Sequence, residues 1–159
     1  MNTLDRMFWG PRFWKILHTL AECSSGLVSP TLRNDEADIW KILLKTQAFV
    51  IPCPRCKEHY LQYRIQKPVP DLRKLANPER KSFLTHWLWE CHSNANTEAQ
   101  KESPPEEEVS LMYASRDIRS EIADIVSMFS TALERSQLQR EDTKRWKMCI
   151  ARLQMLYGL

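Results

Sequence analysis

Glycine is almost absent, with 3 residues in a chain of 159. So few glycines leave little room for two-residue hairpin turns, phosphate-cradling loops or a dinucleotide-binding glycine fingerprint. Long apolar runs are missing as well. The longest, at 42–51, is interrupted by Lys45, Thr46 and Gln47. It falls well short of the roughly 20 residues that a membrane span needs. The N-terminal MNTLDRMFWGPRFW lacks the basic-then-apolar order of an export signal, so the expectation is a protein kept in the cytoplasm and not secreted. Neither sign of charge dominates: 23 Lys and Arg face 20 Asp and Glu, a net charge of +3. That balance supplies no field for holding nucleic acid or an anionic membrane. Cysteine is sparse and odd in number, at five, which excludes a disulfide-built scaffold.

What the chain does have is helical periodicity and tryptophan, six of them. Pro11 sits where a first helical turn can begin, and Phe13, Trp14, Ile16, Leu17, Leu20 and Ala21 follow as a wide apolar stripe. SSGLVSP at 24–30 reads as a loop. A second helix is expected over about 31–50, with Asp35, Glu36 and Asp38 in its early turns and Pro52 ending it. Pro54 opens a third helix over about 54–65 with Cys53 as its N-cap. After the proline-rich loop 67–78, a fourth helix reaches about residue 96 on the stripe Phe83, Leu84, Trp87, Leu88, Cys91 and Ala95. No strand and no repeat is evident. The fold class is therefore all-α, a four-helix bundle over residues 1–101. Residues 102–108, ESPPEEE, read as an acidic linker. Residues 109–159 resume helical spacing at Ile118, Ile122, Ile125, Phe129 and again from Trp146 to Tyr157, a C-terminal helical extension that should pack on the bundle or on a partner.

Cys53-Pro54-Arg55-Cys56 is the sharpest local signal. A cysteine at an N-cap and another at N3 lie one turn apart, close enough to bridge. Both sit where free N–H groups and the helix dipole favour thiolate, and Arg55 and Lys57 add positive potential. The pattern suits thiol–disulfide exchange with Cys53 outward and Cys56 more enclosed. Zinc is an open alternative, with His59, His86, Cys91 and His92 as further ligands, in a non-enzymatic helical interaction module. An inert reduced pair is the third. Cys23 and Cys91 fall on or beside apolar helix faces and read as core. Cys149 reads as a buried thiol, with a lone shuttle or a dimer cross-link as alternatives.

Trp14 and His18 are four residues apart and share a helix face, as do His92 and Asn96, with Trp89 one turn earlier. Flat and hydrogen-bonding groups so combined suit a planar heteroaromatic ligand. The segments WGPRFWKILHTLA (9–21), IPCPRCKEHY (51–60) and HSNAN (92–96) resemble the Erv/ALR family of FAD-linked sulfhydryl oxidases, most closely members from large DNA viruses. The resemblance spans about residues 8–101. It implies a helical FAD-binding bundle, a homodimer, and oxidation of protein dithiols or of a thioredoxin-like carrier. Electrons would pass from Cys53 and Cys56 through FAD to molecular oxygen, giving hydrogen peroxide, in the cytoplasm or in a virion. The cofactor residues it implies are Gly10, Arg12, Trp14, His18, Trp89, His92, Asn96 and Lys101, with Cys53 and Cys56 as the catalytic pair and no metal. Ser93, Ala95, Pro11 and Ile51 depart from the family pattern. No second cysteine pair is present to serve as a structural bridge or a shuttle.

Overall fold

The computed structural model describes residues 2–159, and among them every regular element is helical. Helix α1 runs Arg6–Glu22, α2 Pro30–Thr46, α3 Pro54–Gln66, α4 Asn77–Glu98, α5 Glu106–Met112, α6 Arg119–Glu134 and α7 Arg140–Tyr157. The all-α class expected from the sequence is what the chain adopts.

Two boundaries differ from expectation for local reasons. Helix α1 starts five residues before Pro11, because Asp5 caps it: its carboxylate accepts from the Met7 amide at 2.8 Å. Pro11 then lies inside the helix, where it withholds the N–H that would meet the Met7 carbonyl. Helix α2 stops at Thr46, and Gln47–Val50 tighten into a 3-10 turn before Pro52.

Helices α1 and α3 each pack on α4, while α2 lies mainly against α7 and α1 also against α6. The tail is thereby built into the same core as the motif-bearing helices. Phe13 of α1, Phe129 of α6 and Trp146 of α7 form a ring cluster with centroids 5.2–6.3 Å apart. Trp40 of α2 donates its indole N–H to the Tyr157 hydroxyl at 2.9 Å. Arg12 pairs with Asp124 at 2.7 Å, Arg152 with Asp35 at 3.0 Å, and Lys15 with Glu121. The acidic segment read as a linker carries the first turn of α5, whose three glutamates suit a helix N-terminus.

Helix α3 is held by its tyrosines. Tyr60 donates to the Leu44 carbonyl at 2.5 Å, and Tyr63 to the Trp87 carbonyl at 3.2 Å and Glu90 at 3.0 Å. A buried ion pair, Arg80 to Glu36 at 2.9 Å, fixes α4 to α2. Arg80 also donates to the carbonyls of Leu72 and Arg33, so most of its donors are used.

Candidate active site

The N-terminus of α3 carries the sulfur pair. Cys53 is the N-cap in extended conformation (φ −131°, ψ 108°), Pro54 sets the first helical residue, and Cys56 falls at N3. The Cys56 amide donates to the Cys53 sulfur at 3.2 Å, a capping contact normally made by an oxygen. The two cysteines are joined as a disulfide with Cα atoms 5.2 Å apart.

Cys56, but not Cys53, lines a cavity of about 250 Å³ bounded by α1, α3, α4 and the end of α5. Its wall is built of flat rings. Trp14 and His92 stack face to face, centroids 4.2 Å apart and 8° from parallel. His18 lies behind them, its Nε2 3.0 Å from Nδ1 of His92, and the Tyr113 ring stacks on His18 at 4.5 Å and 14°. The histidines expected from two separate helices are thus one hydrogen-bonded pair.

That pair is held neutral. Burial first, and then His92, pulls the His18 pKa down to about 3. Burial first, and then Lys101, lowers His92 to about 4. A 3.0 Å contact between ring nitrogens requires one donor and one acceptor, which two imidazolium rings cannot provide. The stability consequence has a definite sign. In the unfolded chain both rings titrate near the ordinary value of 6.5. The unfolded state therefore binds more protons between about pH 6.5 and pH 4, and stability falls as pH drops through that window. Denaturant unfolding at pH 7.5, 5.5 and 4.5 should show this loss, at most about 1.4 kcal/mol per pH unit for each ring. A His18→Gln/His92→Gln variant should have a shallower slope, and an unchanged slope would refute the neutral pair.

Lys101 reaches the cavity through a helix-end turn. Gln100 adopts φ 56°, the Lys101 amide bonds the Asn96 carbonyl at 2.8 Å, and the Gln100 amide bonds Thr97 at 3.0 Å. This turn sets Lys101 and Asn96 together on the cavity wall, where Arg6 and Gly10 also lie. The Asn96 amide meanwhile donates to the Ser103 hydroxyl at 3.0 Å, tying down the following chain.

Three expected cofactor residues lie outside the cavity lining, and one of them, His18, reaches it only through its contact with His92. Arg12 sits outside the cavity lining, engaged by Asp124, by the Phe8 carbonyl at 2.7 Å and by the Phe8 ring. Trp89 is also outside the lining, with its indole N–H on the Pro104 carbonyl at 3.0 Å. Conversely, Tyr113, Tyr60, Tyr63, His59 and Cys91 line the cavity and were not expected there. Tyr60 and Tyr63 follow Cys56 by four and seven residues, so helical spacing alone could have found them. Tyr113 has no such signal.

Cys91 is buried, and burial pushes its thiol pKa far up. Cys149 is buried on α7 and pushed up to about 11, again by burial. Cys23, half-buried at the end of α1, is raised for the same reason. Among the described residues no three His, Cys, Asp or Glu side chains converge as a metal shell.

Fold and site together define a helical protein with a disulfide opening onto a cavity walled by aromatic and imidazole rings. The chain belongs to the Erv1/Alr family, whose model matches residues 11–115. It is 32% identical over 109 residues to a protein of Invertebrate iridescent virus 6 named as a FAD-linked sulfhydryl oxidase, covering 67% of this chain and 92% of that one. It is 28% identical over 95 residues to the FAD-linked sulfhydryl oxidase of African swine fever virus, covering 60% of this chain and 71% of that one. No solved structure matches the chain.

Proposed function

We propose that the protein is an FAD-dependent sulfhydryl oxidase that makes disulfide bonds in protein thiols. The observation that carries this reading is the position of Cys56, bridged to Cys53 and lining the cavity against which Trp14 and His92 stack.

The cavity fits the group. A Cβ built on Gly10 would meet nothing closer than Arg6 Cγ at 3.7 Å. The protein's own packing therefore does not demand glycine there, although glycine inside a helix costs about 1 kcal/mol. Its missing side chain keeps that wall open. Trp14, His92 and Tyr113 offer flat faces to a planar ring system, with His18 behind them holding His92 in a neutral hydrogen-bonded pair, while Arg6 and Lys101 offer cations to phosphates. Gly10, Trp14, His92, Asn96 and Lys101 would hold the cofactor, with His18 positioning the His92 ring. Arg12 and Trp89 would act on it only through the chain segments they tie.

The protein's part is disulfide exchange. A substrate thiolate attacks the Cys53 sulfur, the Cys53–Cys56 bond breaks, and Cys56 leaves as thiolate. The helix N-terminus, Arg55 and Lys57 favour that anion. A second substrate thiolate then attacks its partner sulfur in the mixed disulfide and releases Cys53. The substrate leaves oxidised by two electrons, and the pair is reduced by two. When bound, FAD would supply a two-electron acceptor for the reduced pair, with molecular oxygen as the final oxidant and hydrogen peroxide as its product.

The reading includes protein dithiols or a thioredoxin-like carrier as reductant, and activity in the cytoplasm or a virion, after the viral relatives. It also includes a homodimer, whose contact surface would lie outside the faces of α1 and α2 that α6 and α7 cover. No described helix is long and apolar enough to cross a membrane. The purified protein should be yellow, release flavin on denaturation, and consume oxygen with a dithiol present. A colourless protein carrying stoichiometric zinc would establish the interaction-module alternative instead.

A further inference from the structure

We propose that the surface beside Cys53 is a docking site for protein thiols flanked by acidic residues, with Phe49 as its apolar anchor and Arg55 and Lys57 as its charged rim. The inference rests on the redox reading of Cys53 and Cys56 and names the substrate class for it.

Phe49 is 38% exposed between Ala48 and Val50, which are fully buried. The 3-10 turn leaves part of its ring at the surface. Lys57 lies with its ammonium 4.7 Å from the ring centroid. The Lys57 amide donates to the Cys53 carbonyl at 2.9 Å, so the residue that carries the ammonium is tied one helical turn from the outer cysteine. Arg55, exposed, stands between the two cysteines.

The charge of this patch is unmet within the chain. Neither Arg55 nor Lys57 forms an ion pair among the described residues. The first turn of α3 holds no acidic residue to offset its N-terminal dipole. Neither Glu58, one residue from Lys57, nor Glu98 on the cavity wall pairs with these cations. Glu58 accepts from Gln62 at 2.9 Å, and Glu98 lies 3.8 Å from His59. Pro52 and Pro54 flank Cys53 without N–H groups, so a docked segment finds few backbone donors and must be recognised through side chains. An apolar ring within an unmet cationic rim is complementary to a segment carrying acidic side chains next to its cysteines. Such a segment is drawn in by the field and held at short range.

The test uses the full-length flavin-loaded protein and three Cys-x-x-Cys peptides that differ only in flanking Glu, Gln or Lys. Dithiothreitol serves as a substrate without flanks. The expected order of kcat/KM is Glu above Gln above Lys, with the extremes at least about fivefold apart at low salt, a few surface pairs' worth. The spread should contract at about 0.5 M salt, where screening reaches only a few ångströms. In an Arg55→Glu/Lys57→Glu variant the Glu-to-Lys ratio should invert. Using the ratio cancels any shared change in thiolate reactivity. Equal rates for the three peptides, or a ratio the variant leaves unmoved, overturns the proposal and assigns the patch to another occupant, such as a second copy of the chain. If dithiothreitol itself is not oxidised, the sulfhydryl-oxidase reading fails first and takes the inference with it.

Discussion

A Cys56→Ser protein should bind flavin as the parent does and yet oxidise dithiols at less than about a thousandth of the parent rate, the scale of loss when a reacting nucleophile is removed. Serine keeps the size of the side chain and its place at N3 of α3, so the helix start and the cavity wall survive. What disappears is the sulfur between the exchange site at Cys53 and the cavity. Cys53→Ser should also stop turnover of protein thiols, but for a different reason: Cys56 keeps its sulfur at the cavity and loses its bridging partner. The two variants separate in anaerobic mixing experiments with a small thiol. Flavin bleaching should persist to some degree in the Cys53 variant and vanish in the Cys56 variant. Sustained oxygen consumption by Cys56→Ser would remove Cys56 from the reaction path and undo the assignment.

The chemistry-bearing residues were legible because each reports a local rule. Cys53 and Cys56 sit at the cap and third position of a helix that Pro54 starts, and the structure keeps that register. Trp14 with His18, and His92 with Asn96, follow helical spacing, so each pair could be set on one face without knowing what it faced. What local rules could not supply is which faces meet. The His18–His92 hydrogen bond spans 74 residues, and the stack of Tyr113 on His18 spans 95. Arg12 shows the same limit from the other side. On α1 it is close to Trp14 in sequence, but helical rotation turns it toward α6, where Asp124 takes its charge. Pro11 misled the start of α1 because proline at a first turn is common, whereas the Asp5 cap decided the boundary. The apolar stripes of the tail mark it as helical. Composition broke at 102–108, yet the apolar faces of α6 and α7 find their partners on α1 and α2.

Trp146→Ala should cost about 3–5 kcal/mol of stability, the range for removing a large buried aromatic. Trp146 is fully buried at the meeting point of α1, α6 and α7, with its ring edge-on to Phe13 at 5.6 Å and to Phe129 at 5.2 Å. Its indole N–H also donates to the Gln47 side chain at 2.8 Å, and Gln47 and Phe13 both line the cavity. A residue from the extension therefore supports the cavity from behind. Truncation to alanine removes the ring packing and leaves a buried Gln47 oxygen without its donor, a further cost of about 1–3 kcal/mol if no water enters. Trp146→Phe separates the two effects, since it retains most of the packing and loses only the hydrogen bond; it should lie well below the alanine variant in cost. Against a typical domain stability of about 5–15 kcal/mol, the alanine variant stands near the folding limit, and its thermal midpoint should rise when flavin is added. Midpoints for the parent and both variants, each with and without flavin, decide the matter. If Trp146→Ala melted with the parent, α7 would be a loosely attached appendage and the cavity would stand on α1, α3 and α4 alone.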